Sequence, residues 1–339
     1  MRERLLDFIC CPECFSDFRL VDPVHDPEFN EIRSGSLVCS ACGLKFPVVD
    51  FIPRIIRDHL SIERIANARA FGYEWKNFST LKEKYESQFL DWIAPVKADF
   101  FKGKIVLDVG CGKGRHSFLA SKFGAGEVVG VDISEAVEVA WHNTRLLGNV
   151  HIVQTDIYHL PLKKCFDYVY SVGVLHHLPD PARGMEFIHR FLKNGGALSV
   201  WVYGRENNGW IVNIIDPVRK MVTSRMPFWL MNSLSWVLGM ILYLAIRGIY
   251  RPVNRLSPAL GRLLFYNDYL YYISKFNLDE VSSIVFDHLA APVSHYITGD
   301  QFRQWFSASG LEKVNIRWHN SNSWAGWAEK MTRKYEKNR

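Results

Sequence analysis

The stretch Lys104 to Ser134, KIVLDVGCGKGRHSFLASKFGAGEVVGVDIS, limits the folds open to this chain more than any other. Ile105-Val106-Leu107 is a short, fully apolar strand, and Asp108 to Gly114 is a glycine-rich turn opening a helix that runs through Ala120. A second apolar strand, Val128 to Val131, follows and ends on Asp132. Strand, glycine turn, helix, strand and terminal acid make the first βαβ unit of a nucleotide-binding sheet. The glycines let a ligand meet backbone N–H groups at the helix start, and the acid suits ribose hydroxyls.

Dinucleotides and S-adenosylmethionine compete for that geometry. A dinucleotide loop needs a small residue at position 115, where the helix packs on the strand, but Arg115 stands there and the third glycine, Gly114, comes one place early. Asp108 at the strand tip would repel a pyrophosphate and suits a ligand bearing an ammonium group. The pattern D-x-G-x-G-x-G resembles motif I of class I S-adenosylmethionine-dependent methyltransferases. The following stretches continue the resemblance: a helix from Glu135 to Leu147, a strand Val150 to Gln154 followed by Asp156-Ile157, and a strand Phe166 to Gly173 leading into Val174-Leu175-His176-His177-Leu178. A Phe187-to-Lys193 helix, a Gly195-Gly196 turn and an Ala197-to-Tyr203 strand complete it, with Asn194 where the family usually has proline. It covers residues 104–203.

The resemblance implies an α/β fold: a Rossmann-like sheet, mostly parallel, with an antiparallel last strand pair. It further implies S-adenosylmethionine as cofactor, held by Asp108, Gly110, Cys111, Gly112, Gly114, Asp132, Ile133, Asp156, Ile157 and Ser171. An Asp after a strand is commonly only a helix cap. Asp156, however, stands in a series with Asp108 and Asp132, each at a strand's carboxyl end, where open parallel sheets bind ligands. His176 and His177 are the candidate general bases, since strand four faces the transferable methyl in this fold and neutral imidazole suits proton abstraction near pH 7. The alternative is that one packs and the other bonds backbone, with in-line alignment sufficing for transfer.

Residues 1–57 read as a metal module. Cys11-Pro-Glu-Cys14 and Cys39-Ser-Ala-Cys42 are two C-x-x-C knuckles, able to place four thiolates tetrahedrally around Zn²⁺. A redox C-x-x-C with an unrelated second pair is the other reading. The run LLDFICCPEC…GSLVCSACGLKFPVVDFIPRII resembles the Trm112-like zinc-ribbon family, which implies Cys11, Cys14, Cys39 and Cys42 as ligands of a structural zinc. Cys10 falls outside the pattern and is expected as a buried thiol. The first residues, MRERLLDFIC, have no apolar core of secretory length, so the expected compartment is the cytoplasm.

The organisation then reads as the zinc ribbon (1–57), a helical linker or lid (58–100), the cofactor-binding core (101–204), a cap insertion (205–297) and the last part of the sheet (298–339). In the linker, Tyr73 or Trp75 of the aromatic run Phe71 to Ser79 is a candidate cover for the cofactor, against the plainer reading of packing. The net charge of +6 lies wholly in the cap: residues 215–262 hold seven basic residues and one acid, and the remaining 34 basic and 34 acidic residues cancel. Phe228 to Ile246 carries no charge and is long enough to span a bilayer. Asn232, Ser235, Gly239 and Arg247 near one face, basic flanks at both ends, and the expected return of the chain to the sheet all argue against a span. A helix buried in the cap and a helix lying on an anionic membrane surface stay open.

These readings converge on a methyltransferase acting on an apolar or lipid-linked small molecule, because the cap is apolar. The alternatives are RNA (tRNA or rRNA) methylation and a non-catalytic scaffold that keeps the cofactor fold. For RNA speak the zinc module, the basic residues and the VWVYGREN ending, which resembles wobble-uridine tRNA methyltransferases.

Overall fold

The computed structural model describes residues 1–56, 60–82 and 84–331; the expected ribbon–linker boundary at 57–58 and the tail beyond 331 lie outside them. The chain opens with β1 (Phe18–Asp26), β2 (Glu31–Cys39), β3 (Lys45–Val49) and β4 (Ile52–Ile55), followed by α1 (Ile62–Asn77) and α2 (Tyr85–Trp92). The alternating unit is β5 (Ile105–Val109), α3 (Arg115–Lys122), β6 (Glu127–Asp132), α4 (Ala136–Thr144), β7 (Val150–Thr155), β8 (Phe166–Val172), α5 (Pro181–Ile188) and β9 (Leu192–Tyr203). The cap comprises α6 (Asp216–Met221), α7 (Phe228–Ala245), α8 (Arg251–Leu256), α9 (Pro258–Gly261), α10 (Asn267–Ile273) and α11 (Leu278–Ala290). After it come α12 (Gly299–Ala308), β10 (Leu311–His319) and β11 (Ser323–Lys330).

Among the described residues these strands form one sheet in the order β1-β2-β3-β4-β7-β6-β5-β8-β9-β11-β10. From β7 to β9 every pairing is parallel, and β11 enters antiparallel between β9 and β10. This is the sheet expected of a class I methyltransferase. The strand order reverses between β5 and β8, which opens the crevice where such sheets bind ligands. Alternation sorts the strand side chains into two cores. Leu107, Val109, Val129, Val131 and Val169 face one side, and Val106, Val128, Ile152, Tyr168 and Tyr170 the other.

The N-terminal ribbon is built into this sheet. β4 pairs parallel with β7 through Arg54–Gln154 and Ile55–Thr155, covering an edge that would otherwise expose unpaired backbone groups. Leu5, Phe8, Ile9, Leu37 and Val48 belong to the same buried cluster as Leu107 and Val131. The Cys10 N–H donates to the Pro161 carbonyl at 2.9 Å, and its thiol is buried.

Two local expectations are corrected. The helix expected at Phe187–Lys193 begins earlier, at Pro181: Asp180 caps it by accepting from the Arg183 N–H at 3.0 Å, and proline fits its first turn. Gly195-Gly196 lies within the β9 run. In the cap, α7 continues with little interruption into α8, making a helical run Phe228–Leu256 whose most apolar 18-residue window has a mean hydropathy of 1.6, yet only 22% of that window is buried. Met231, Ser235 and Gly239 are its buried residues. Ser235, Gly239 and Met231 face inward while Val237, Ile241 and Leu244 face out, so burial in the cap does not account for the apolar outer face of this helix.

Candidate active site

A cavity of about 240 Å³ opens over the carboxyl ends of β5 to β9, between the sheet, α1 and the cap helices α10 and α11. Its floor is the glycine turn. Gly110, Gly112 and Gly114 have φ of +78°, +51° and +77°, a region open to glycine at no steric cost. A Cβ at Gly110 would stand 2.3 Å from Val174 Cγ2, and one at Gly112 would meet Trp75 Nε1 at 2.9 Å. The turn is braced from β6: Asp132 Oδ2 accepts from the Gly112 N–H at 2.9 Å, while Oδ1 accepts from the Ser134 N–H at 2.8 Å and Oγ at 2.7 Å.

Of the residues singled out in the sequence, Gly110, Cys111, Gly112, Asp132, Ile133, Asp156, Ile157 and His177 line this cavity. Asp108, Gly114, Ser171 and His176 do not appear on its wall. Asp108 lies buried behind the turn, where its Oδ2 accepts from Ser117 Oγ at 2.7 Å. Burial pushes its carboxyl up to about 7. Ser171 Oγ donates to the Val109 carbonyl at 3.1 Å and so ties β8 to β5. Gly114 packs against α4, with Ala140 Cα 3.0 Å from where a Cβ would be. Asp156 caps the following turn, accepting from the Tyr158 N–H at 3.2 Å, and forms an ion pair with Arg64 of α1.

The two histidines differ. His177 Nδ1 donates to the Val293 carbonyl at 2.9 Å, which leaves Nε2 as its acceptor nitrogen, 3.7 Å from Asp287 Oδ1. Asp287, on α11, accepts at Oδ2 from the Tyr203 hydroxyl at 2.5 Å, while its buried Oδ1 has no hydrogen-bond partner. His176 is fully buried, and both its ring nitrogens lack partners. Burial holds its pKa well below the usual histidine range, so it is a neutral packing group.

Sequence reasoning missed the residues that α1 and α11 bring to the cavity. Glu74 of α1, buried, accepts at Oε1 from Ser283 Oγ at 2.7 Å, and burial followed by the nearby Asp287 raises its carboxyl to about 8. Asn67 bridges three elements: its Nδ2 donates to the His177 carbonyl at 2.7 Å and its Oδ1 accepts from the Val293 N–H at 3.1 Å. Lys113, within the glycine turn, donates to the carbonyls of Phe78 (2.6 Å) and Thr80 (3.2 Å) and to the Tyr85 hydroxyl (3.0 Å), fastening the lid segment to the turn. The one sign of this in the sequence is the lysine set between Gly112 and Gly114. Of the two lid aromatics, Trp75 lines the cavity, while Tyr73 stacks on Phe228 with centroids 5.0 Å apart.

In the N-terminal ribbon, Cys11, Cys14, Cys39 and Cys42 bring their Sγ atoms within 4.8 Å of one another. The Cys11–Cys42 and Cys14–Cys39 separations are 3.6 and 3.3 Å. Tetrahedral thiolates around zinc would stand roughly 3.8 Å apart, so the set fits such an ion with little adjustment.

Comparison with known proteins agrees with both halves. Residues 107–200 match the family model described as a methyltransferase domain, and residues 2–50 match that of Trm112p-like protein. Among curated proteins, the chain is similar to the tRNA U34 carboxymethyltransferase of Alteromonas mediterranea, 33% identical over 116 residues, covering 32% of this chain and 35% of the relative. The enzyme of that name from Proteus mirabilis is 38% identical over 101 residues, 29% and 31% of the two chains. The chain thus spans about a third of the length of the curated relatives it matches. Among solved structures, human N-acetylserotonin methyltransferase in complex with SAM aligns at a TM-score of 0.45 and 15% identity, over 77% of this chain and 57% of that one. Together the strand order, the glycine turn and the two matches give this chain a methyltransferase domain of the class I fold and an N-terminal Trm112-like domain.

Proposed function

We propose that this chain transfers the methyl group of S-adenosylmethionine to a nucleoside of RNA. The observation that carries the acceptor class is the 33–38% identity, over 116 and 101 residues, to tRNA U34 carboxymethyltransferases, supported by the Trm112-like domain at the N-terminus. In this reading Asp132 binds the ribose hydroxyls, the backbone of Gly110 to Gly112 lies under the amino-acid end, and Asp156 with Ile157 flanks the adenine. Asp108 acts through Ser117 and the turn rather than by direct contact. Cys11, Cys14, Cys39 and Cys42 hold a structural zinc ion.

The cofactor supplies an electrophilic methyl on a sulfonium; the protein's task is alignment and removal of a proton. His177 is the base: Val293 fixes the tautomer, and Nε2 takes the proton from the acceptor nitrogen or oxygen as that atom gains its methyl group. Asp287 then stabilises the imidazolium. Tyr203 and Asn67 hold Asp287 and the His177 segment in place. Trp75 covers the cofactor from α1.

A second reading, an apolar or lipid-linked acceptor, keeps one observation in its favour, the outward apolar face of α7. The two separate in one experiment. Purified protein is titrated calorimetrically with S-adenosylmethionine, then incubated with methyl-labelled cofactor and either total tRNA or a total lipid extract. Label entering tRNA supports the RNA reading, and label entering lipid replaces it with the second. Failure to bind the cofactor would overturn both and leave the scaffold reading.

A further inference from the structure

The large apolar side chains that the fold leaves in solvent are concentrated in one place. Of 26 exposed large hydrophobic residues among those described, 17 lie between Ile214 and Phe265. On α7 they occupy the side away from the body: Val237, Ile241 and Leu244, at helical spacing, are 58%, 61% and 61% exposed. Trp229 stands 66% exposed at the start of α7, and Leu256 and Leu263, beyond its end, are 85% and 81% exposed. Soluble monomers seldom carry an apolar patch of this extent without a use for it.

The charge around the patch is one-sided. Arg225 precedes α7, and Arg255 and Arg262 follow it; all three are exposed, and none makes an ion pair among the described residues. The one acid between 215 and 262, Asp216, is already engaged by Arg219 and Lys220. We infer that the outer face of α7, with its arginine flanks, seats this protein on the surface of an anionic lipid bilayer.

The helix lies in the surface and does not cross it. Its inner stripe is fastened along α11, where Gly239 packs so closely that a Cβ there would meet Ser282 Oγ at 2.4 Å. Beyond α11 the chain returns to β10 and β11 of the sheet. The apolar face can therefore enter the headgroup boundary while the body stays in water, with arginines at the level of lipid phosphates and an exposed tryptophan suited to the interface. A second copy of the chain is a poorer occupant, since a two-fold contact would set the unpaired arginines of both copies against each other. RNA would engage the arginines but leave the aliphatic face in water. The inference concerns where the protein works and is independent of the acceptor it methylates.

The test uses the full chain with sedimented vesicles of phosphatidylcholine alone or mixed with phosphatidylglycerol. We expect binding to the mixed vesicles, roughly tenfold or more tighter than to the neutral ones and weakened by salt. Ile241→Glu with Leu244→Glu should weaken it about a hundredfold, and Arg255→Glu with Arg262→Glu about tenfold. Both variants should keep wild-type affinity for S-adenosylmethionine, which shows that they fold. Absence of vesicle binding by the wild type, or binding that survives the α7 variant, would overturn the inference. So would a dimer in solution that Ile241→Glu dissociates, or tRNA association that the arginine variant abolishes in a protein that ignores vesicles.

Discussion

The N-terminal ribbon and the helical cap are both attached to one sheet, and they dispose of their apolar residues in opposite ways. The ribbon turns most of its large apolar residues inward: Ile9, Leu37 and Val48 are buried in the same cluster as the sheet's own Leu107 and Val131, and Phe15, Val24, Leu44 and Val49 are the large ones left exposed. The cap has many and leaves a large share of them outward, while Met231, Ser235 and Gly239 of α7 turn inward and Gly239 makes its close contact with α11. One attachment therefore serves folding, and the other leaves its apolar area for something outside the chain. Disturbing the ribbon should reach the whole molecule, whereas disturbing the outer cap should leave the body unaffected.

The largest effect follows from the zinc proposed for the ribbon. A structural zinc contributes on the order of 10 kcal/mol or more in small cysteine modules, and here the module shares a core and a strand pairing with the sheet. Cys39→Ser, or chelation of the wild type, should abolish the zinc found by atomic absorption and lower the thermal midpoint of the entire domain. A metal-free variant with an unchanged midpoint would show that the two cores are energetically separate.

The next effect tests the sheet between the two attachments. The Asp108 carboxyl, ordinarily near 3.8, is held at about 7 in the folded state by burial. Below pH 4 it is protonated in both states and contributes nothing to the pH dependence. Between about pH 4 and pH 7 the unfolded chain loses this proton first, so stability falls as pH rises; above pH 7 the loss is complete. Three units correspond to on the order of 4 kcal/mol. Urea unfolding at pH 4.5 and 7.5, in wild type and Asp108→Asn, should show a shallower pH dependence in the variant by an amount of that order. The same slope in both would relocate the titration to another group, with Glu74, raised to about 8, first among them.

Much of this central region was legible in the sequence because its constraints are local. Glycines at positive φ, an acid at each strand end and apolar strand runs can be read without knowing their neighbours. The start of α5 was legible too, in Asp180-Pro181, but the apolar run after it drew the expected helix too late. Glu74, Asn67 and Asp287 carried no such sign. They sit on helices whose approach to the sheet is decided by tertiary packing, and alone each looks like an ordinary helix residue. The direction of α7 was hidden for a related reason: its pattern shows that one face differs from the other, but which face turns inward depends on the serines of α11.

Two smaller effects refine the contrast at the level of single contacts. Asp132→Ala removes a brace on the Gly112 N–H together with the proposed ribose contact. At roughly 1.5–3 kcal/mol for hydrogen bonds to a charged group, cofactor affinity should fall about 10- to 100-fold by calorimetry. Gly239→Val, on the inner stripe of α7, drives a side chain into Ser282, whose Cα would lie 2.9 Å from the new Cβ. Overpacking of this kind costs about 1–3 kcal/mol and should appear as a lower urea midpoint with an unchanged slope. An unchanged midpoint would mean that α7 is only loosely held by α11.

The smallest expected effect is the most discriminating. Ile241 lies half a helical turn from Gly239 and is 61% exposed, so Ile241→Thr exchanges solvent-facing groups and opens no cavity. Surface changes of this kind alter stability by less than about 0.5 kcal/mol. If urea unfolding places Ile241→Thr within that limit while Gly239→Val is clearly destabilised, the inward small stripe holds the cap and the outward apolar face contributes nothing to folding. A loss of 1 kcal/mol or more, typical of a buried aliphatic, would instead mean that Ile241 is covered in solution, either by the cap itself or by a second copy. Measuring at two protein concentrations separates these, because only a self-association contributes stability that grows with concentration.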